Sequence, residues 1–528
     1  MRRRRIVGAG LALAAAAGIT GTLTVLPAAA EDHESTTVDW GACPEDVPGA
    51  DRLECASIAV PLDYDEPDAT TIDVMISRVA GTAPDERRGV LMLNPGGPGG
   101  QGLSQPTDLI DLGLPNDVTN AYDLIGMDPR GVGHSTPVSC GFTVEQGHRG
   151  NVPPYATDEA DVAEQAETAK AIADQCAAND PDGLMRHMTT ANTARDMDFI
   201  RAALGEDRIS FFGASYGSAL GAAYASMFPE QSDRIVLDSN LGATALDWDA
   251  QRRWGPGFED GFPTYAAWLA ERHAGYGLGE TADEVRDNYF ALAERLDAAP
   301  IDEFDGKTFR MQIFATLYKE RNYAPTARIW QALADADGAE AGRLLEESQP
   351  AAPADAGTAL SPYDNAWSSY LAVTCNDTEW PEDLATYQDA VEADREAYPM
   401  FGAAAANITP CAFWANDPAE PQVPVDDEGP ANVLVVQNER DNATPLAGGV
   451  LLREAFGDRA RLVTVDGDGH GVYVYGDNPC ALNVTTQFLL DGELPASDVY
   501  CEASTASGLE LDDAGEERRE DVLDRIAQ

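Results

Sequence analysis

Six short apolar runs, separated by stretches with helical spacing, constrain this chain more than any other feature. They lie at 89–94, 123–128, 208–213, 234–238, 432–437 and 461–465. In Val433-Leu434-Val435-Val436 the apolar residues are consecutive rather than alternating. Alternation marks a strand with one wet face, whereas a continuous run marks a strand covered on both faces. Helical patterns at 193–204 and 218–227 stand between the runs. Strand–helix alternation of this kind predicts an α/β fold built on a doubly wound sheet.

The alternation stops between 241 and 414. This stretch reads as helix, with Trp248, Trp254, Trp268, Trp330, Trp367 and Trp380 interspersed and a Pro/Ala-rich linker at 349–356. It is expected to form a large, mostly helical cap inserted over the C-terminal edge of the sheet, where α/β folds place their ligands. The expected organisation is a leader at 1–30, the first part of the core at 31–240, the cap at 241–414, the second part of the core at 415–507, and a charged, solvated helical tail at 508–528.

The leader has the pattern of a signal peptide. Arg2 to Arg5 precede an apolar stretch, and Ala28-Ala29-Ala30 stand before Glu31. Cleavage after Ala30 would release the protein to the extracellular side. The stretch is too rich in Ala, Gly and Thr for a good membrane anchor. The 528 residues carry 35 Lys+Arg and 90 Asp+Glu, a net charge of −55; loss of four leader arginines leaves 31 − 90 = −59. Such a surface repels phosphate backbones and anionic lipid, so neither nucleic acid nor a membrane is an expected partner. Nothing in the sequence asks for more than a monomer.

All eight cysteines follow the leader, at 43, 55, 140, 176, 375, 411, 480 and 501. An even count in an exported chain implies disulfides. Nearest-neighbour pairing (Cys43–Cys55, Cys140–Cys176, Cys375–Cys411, Cys480–Cys501) closes four short loops and is the expected arrangement. The sequence contains no CxxC or HExxH, so no metal or organic cofactor is implied.

Gly213-Ala214-Ser215-Tyr216-Gly217 fits G-x-S-x-G, directly after the apolar run Ile209-Ser210-Phe211-Phe212 and before a small-residue helix. Strand, turn and helix in that order form the context of a nucleophile elbow rather than of an ordinary Gly-rich turn. A serine needs a base, and the base an orienting acid. Of six histidines only His273 and His470 follow Ser215. His273 lies among charged residues in the cap, whereas His470 sits in Asp466-Gly467-Asp468-Gly469-His470-Gly471 after a strand, and is the expected base. Asp441 follows the preceding strand and is the expected acid. Glu439 and Asp468 compete, but Asp468 is too close in sequence to His470 to come from the neighbouring strand.

The loop Asn94-Pro95-Gly96-Gly97-Pro98-Gly99-Gly100-Gln101-Gly102 also follows a strand. Gly97 N–H and Tyr216 N–H are the expected oxyanion donors. The same loop matches G-x-G-x-x-G, with Asp128 ending the next strand, the outline of a dinucleotide site and of an oxidoreductase. Pro98 has no N–H to offer a pyrophosphate, and an exported enzyme would rarely meet free NAD.

With these residues in place the chain resembles the secreted tripeptidyl aminopeptidases of actinobacteria, α/β-hydrolases related to prolyl aminopeptidases. Residues 94–102 resemble that family's NPGGPGGSG loop, with Gln101 a departure near its end. Asp128-Pro129-Arg130-Gly131-Val132-Gly133-His134-Ser135 looks like its DPRGVGxS segment, and 189–205, 213–221 and 414–501 are similar to further parts of it. Pro95 stands where prolyl aminopeptidases carry the His of HGGPG, which favours the tripeptidyl branch. The resemblance implies a serine exopeptidase that releases tripeptides from free N-termini, with Ser215, Asp441 and His470 as triad. Such an enzyme must hold the substrate ammonium, and Asp364, Asp377 and Glu379 in the cap are the expected anchors. Esterases occur in the same family, so a carboxylesterase on the same triad is the alternative.

Overall fold

The computed structural model describes residues 38–150, 152–348, 361–509 and 511–526; the expected leader and the linker at 349–356 lie outside the described residues. Among the described residues ten strands form one sheet: β1 (Gly41–Ala42), β2 (Glu54–Pro61), β3 (Thr71–Val79), β4 (Gly89–Asn94), β5 (Tyr122–Met127), β6 (Ile209–Ala214), β7 (Ser232–Asp238), β8 (Val433–Arg440), β9 (Ala460–Asp468) and β10 (Val499–Cys501). Their order is β1-β2-β3-β5-β4-β6-β7-β8-β9-β10. From β5 to β10 every neighbouring pair is parallel.

The consecutive apolar residues behave as their pattern demands. Phe211 packs into the core on one face of the sheet and Phe212 into the core on the other. In β8, Val433 and Val435 face one side while Leu434 and Val436 face the opposite side. Helices Thr190–Ala203 and Tyr216–Met227 cover the first face, and Gln105–Asp111 and Pro479–Asp491 the second. The fold is therefore α/β and doubly wound.

Four strands escape a search for continuous runs. β1, β2 and β3 add an antiparallel edge, and β3 alternates buried Ile72, Val74 and Ile76 with a more exposed set. Such a strand has one wet face and gives no continuous signal. β10 is a three-residue edge strand, tied to helix Pro479–Asp491 by Cys480–Cys501. All four disulfides join nearest neighbours, with Cα–Cα separations of 4.8, 4.2, 4.8 and 5.6 Å.

Between β7 and β8 the described chain is helical, without a strand. Its aromatic residues pack together: Phe258, Phe262, Tyr265, Tyr289 and Trp330 are buried, and Phe314 stacks on Phe401 at 4.3 Å. This cluster is continuous with the apolar residues on the first face of the sheet. The tail departs from expectation. Asp513–Ile526 is helical, but one face is docked rather than solvated: Val522 is buried, and Arg519 donates to the carbonyls of Val474, Tyr475 and Gly476. Its arginines find carbonyls and the Asp108 carboxylate that a free helix would leave to water.

Candidate active site

The parallel strands all end on one edge, and Gly97, Ser215, Asp441 and His470 follow strands that end there. β6 enters the elbow at Ser215, whose backbone is held at φ 60°, ψ −125°. A non-glycine residue at positive φ is strained and must be over-determined by its surroundings. Ser215 N–H donates to Asp238 O at 2.9 Å, and Ser218 donates to Ser215 O through both its N–H (2.8 Å) and its hydroxyl (2.6 Å). The flanking glycines have a steric reason. A Cβ on Gly213 would lie 2.4 Å from Gly217 O, and one on Gly217 2.8 Å from Asn94 O.

The loop after β4 lies on top of this turn. Gly96 adopts φ +102°, and a Cβ there would meet Ala214 O at 2.6 Å and Ser215 Cβ at 2.9 Å. Asn94 Oδ1 shapes the loop by accepting from Gly96 N–H at 3.0 Å. Among the described residues neither Gly97 N–H nor Tyr216 N–H has a hydrogen-bond partner. Tyr216 opens its helix, where N–H groups have no intrahelical acceptor.

Asp441 is buried immediately after β8. It accepts from Ala443 N–H (2.9 Å), Thr444 N–H (2.9 Å) and Thr444 Oγ1 (2.7 Å), and its Oδ2 lies 2.9 Å from His470 Nδ1. The cap fixes both partners. Trp254 Nε1 donates to Ala443 O at 2.9 Å, Asn442 Nδ2 to Phe314 O at 2.8 Å, and His470 N–H to Tyr318 O at 2.9 Å. The Tyr318 ring packs against the imidazole at 5.3 Å. Asp238, buried at the end of β7, steadies the far side of the His470 loop by accepting from Val472 and Tyr473 N–H; burial raises its pKa.

The competing acids are engaged elsewhere. Arg440 binds Asp468 at 2.7 Å and Glu439 at 3.3 Å, and Thr264 also donates to Asp468. His273 starts a short cap helix, 4.0 Å from Glu280. The dinucleotide outline dissolves too. Asp128 accepts from Gly102, Leu103 and His134 N–H, so it clasps its own loops and has no oxygen aimed at a ribose. Arg130, in the same segment, is fully buried against Asp196 at 2.6 Å and against the carbonyls of Pro61 and Leu62. That segment is a structural clamp.

A cavity of about 330 Å³ opens beside the elbow, lined by Pro95, Ala214 and His470 below and by Phe314, Tyr318 and Trp367 of the cap above. None of the three expected ammonium anchors lines it. Asp364 accepts from Phe142 N–H and Ser368 Oγ and so pins the loop near Cys140. Asp377 accepts from Thr190 N–H at 2.7 Å and from its hydroxyl, and burial pushes its pKa up to about 7. Glu379 is exposed. All three are expected from their place in the cap alone, and helix Pro362–Asp377 turns Asp364 and Asp377 toward the segments at 139–142 and 190. Among the described residues the cavity's one carboxylate is Asp108, which is paired with Arg525 and accepts from Ser104 Oγ at 2.7 Å. It belongs to helix Gln105–Asp111 after the loop at 94–102, where no local pattern marks it. Thr444 did carry a signal, as a hydroxyl three residues after an acid in a turn.

The chain is similar to known proteins along most of its length. Residues 89–332 match the family model described as alpha/beta hydrolase fold, and residues 398–501 that described as TAP-like protein. A tripeptidyl aminopeptidase of Streptomyces lividans is 34% identical over 473 residues, covering 88% of this chain and 86% of that protein. Serine protease Hip1 of Mycobacterium tuberculosis is 29% identical over 496 residues, covering 89% and 92%. Carboxylesterase B of the same organism is 30% identical over 477 residues, covering 88% and 89%. A strand–elbow–helix unit under a helical cap, with relatives matched along most of both chains, places the protein in the α/β-hydrolase family, among the tripeptidyl aminopeptidases and their relatives.

Proposed function

We propose that the protein is an exported serine peptidase that releases short peptides, tripeptides foremost, from free N-termini. Ser215 Oγ attacks the scissile carbonyl while His470 Nε2 takes its proton. Asp441 holds Nδ1–H and stabilises the imidazolium that forms. Gly97 and Tyr216 N–H receive the developing oxyanion. His470 then protonates the leaving amine, and water repeats the cycle on the acyl-enzyme. The observation that carries this reading is the 2.9 Å contact between Asp441 and His470 on the sheet edge that also holds the strained Ser215.

The cap and the relatives support exopeptidase character. A cavity of about 330 Å³ suits a few residues better than the middle of a polypeptide. Asp108 takes over from the cap acids as the anchor for the substrate ammonium. The leader pattern and four disulfides support export, and among the described residues no helix is long and apolar enough to cross a membrane.

The test is a panel of chromogenic anilides of one to four residues, each with a free or acetylated N-terminus. The free tripeptide is expected to turn over fastest, and Ser215→Ala to lose activity by roughly 10⁴-fold or more. Equal rates on free and acetylated substrates would refute the aminopeptidase reading. The relative named carboxylesterase B favours a second reading, ester hydrolysis on the same triad, because the triad does not set the acyl donor. Ester turnover without anilide turnover would select it.

A further inference from the structure

The chain contains three lysines among its 35 basic residues. Lys170 pairs with Asp174 at 2.6 Å and Lys307 with Asp161 at 3.3 Å. Lys319 is different. It lines the cavity beside His470, and among the described residues its ammonium has no carboxylate within ion-pair distance and no hydrogen-bond acceptor. Its Nζ lies 5.8 Å from the centroid of the Tyr475 ring.

Its position is set by the residue that positions the base. Tyr318, the preceding residue, accepts the backbone hydrogen bond of His470 and packs on its ring. Lys319 therefore reaches from the cap toward Tyr475, whose hydroxyl is taken by Gln105 Nε2 at 2.8 Å. Asp108, the cavity's carboxylate, pairs with Arg525 and not with Lys319. Arg149 on the cavity wall is also without an ion pair among the described residues, and it borders a second cavity of about 710 Å³. Burial pushes the Lys319 pKa down to about 8; Asp238 and Asp441 hold it up, and Arg519 and Arg321 lower it further. The ammonium is thus still charged at neutral pH.

A half-buried cation without a directly paired carboxylate is costly, and this chain has 90 carboxylates from which a closer partner could have been supplied. We infer that Lys319 forms a carboxylate-binding subsite beside the catalytic centre, selecting substrates that carry an anionic group within one or two residues of the bond cleaved. The carboxylate can be an acidic side chain or the free C-terminus of a short peptide. This deepens the hydrolase reading above: it requires acylation of Ser215 but not a peptide leaving group.

Three substrate pairs separate these possibilities. Ala-Ala-Glu against Ala-Ala-Gln p-nitroanilide reads a side-chain carboxylate. Tetra-alanine as free acid against its amide reads a C-terminal one. The p-nitrophenyl hemiester of glutaric acid against p-nitrophenyl pentanoate reads an anionic acyl group even if the protein does not cleave peptides. The readout is the ratio of kcat/KM within each pair, whatever the absolute rate. The wild-type protein is expected to favour the anionic member of at least one pair. Lys319→Met is expected to lower that ratio at least tenfold, and Lys319→Arg to retain most of it. A wild-type preference for the neutral member in all three pairs would overturn the inference, without recourse to any variant. So would a folded Lys319→Met protein with the wild-type ratios. Loss of anilide turnover alongside an intact ester preference would instead count against the peptidase reading and leave the subsite standing.

Discussion

Asp441→Asn separates the electrostatic role of this residue from its structural one. The carboxylate accepts four contacts: Ala443 N–H, Thr444 N–H, Thr444 Oγ1 and His470 Nδ1. An asparagine can keep two of them unchanged and a third with its direction reversed. Its Oδ1 still accepts from both backbone N–H groups, and its Nδ2 can donate to the Thr444 hydroxyl. The fourth is inverted, because an N–H then faces Nδ1 and favours the imidazole tautomer with the proton on Nε2. That tautomer cannot take the Ser215 proton. Loss of the correct tautomer costs about 10⁴ in kcat, or ~5.5 kcal/mol at 1.36 kcal/mol per decade. Stability should move by no more than about 1 kcal/mol, since the hydrogen-bond count hardly changes. Asp441→Ala is the contrast. It orphans two buried N–H groups and a hydroxyl, at about 1–3 kcal/mol each, and should lower the melting temperature clearly. The assay is kcat/KM on an anilide or ester substrate together with circular-dichroism melting of all three proteins. An Asp441→Asn protein within tenfold of wild-type activity would refute the reasoning and return Glu439 or Asp468 to consideration.

Gly96→Ala places a Cβ 2.6 Å from Ala214 O at φ +102°, so the loop must lift off the elbow; activity should fall at least 100-fold with phosphonate labelling of Ser215 slowed in parallel, and an unchanged labelling rate would show that the loop does not shape the oxyanion site. Asp108→Asn should raise KM for free-amine peptides far more than for esters, and a uniform effect on both would remove Asp108 as the ammonium anchor. Asp377 supplies a pH prediction with a definite sign. Its folded pKa of about 7 lies above the ordinary Asp value, so the folded state binds the proton more tightly and stability is lost as pH rises from about 4 to about 7. Asp377→Asn does not titrate, and should gain on the wild type across that window by at most about 4 kcal/mol, then run level above it; parallel denaturation curves from pH 4 to 8 would contradict this.

The sheet was legible in the sequence where the chemistry left no alternative. Consecutive apolar residues such as Val433 to Val436 can be satisfied only between two covered faces, and G-x-S-x-G between a strand and a helix has few other uses. The order of Ser215, Asp441 and His470 along the chain, each at the end of a strand, followed from the same local patterns. So did the preference for nearest-neighbour disulfides, since shorter loops cost less entropy to close. The antiparallel edge of β1, β2 and β3 was less legible, because a strand wet on one face carries only alternation.

What local pattern could not decide was which side chains meet across the cap. Asp364 and Asp377 look like any cap carboxylates until helix Pro362–Asp377 is packed, when both turn away from the cavity toward the loops at 139–142 and 190. Tyr318 and Lys319 reach the catalytic edge from the cap, more than a hundred residues before Asp441 and His470 in the chain, and Asp108 reaches it from a helix of the opposite face. Their roles depend on the approach of segments distant in sequence, and no residue's neighbours along the chain record that approach. The proposed catalytic groups are set by strand ends, which are local; the groups that line the cavity are set by how the cap and tail pack on those ends, which only the tertiary structure determines.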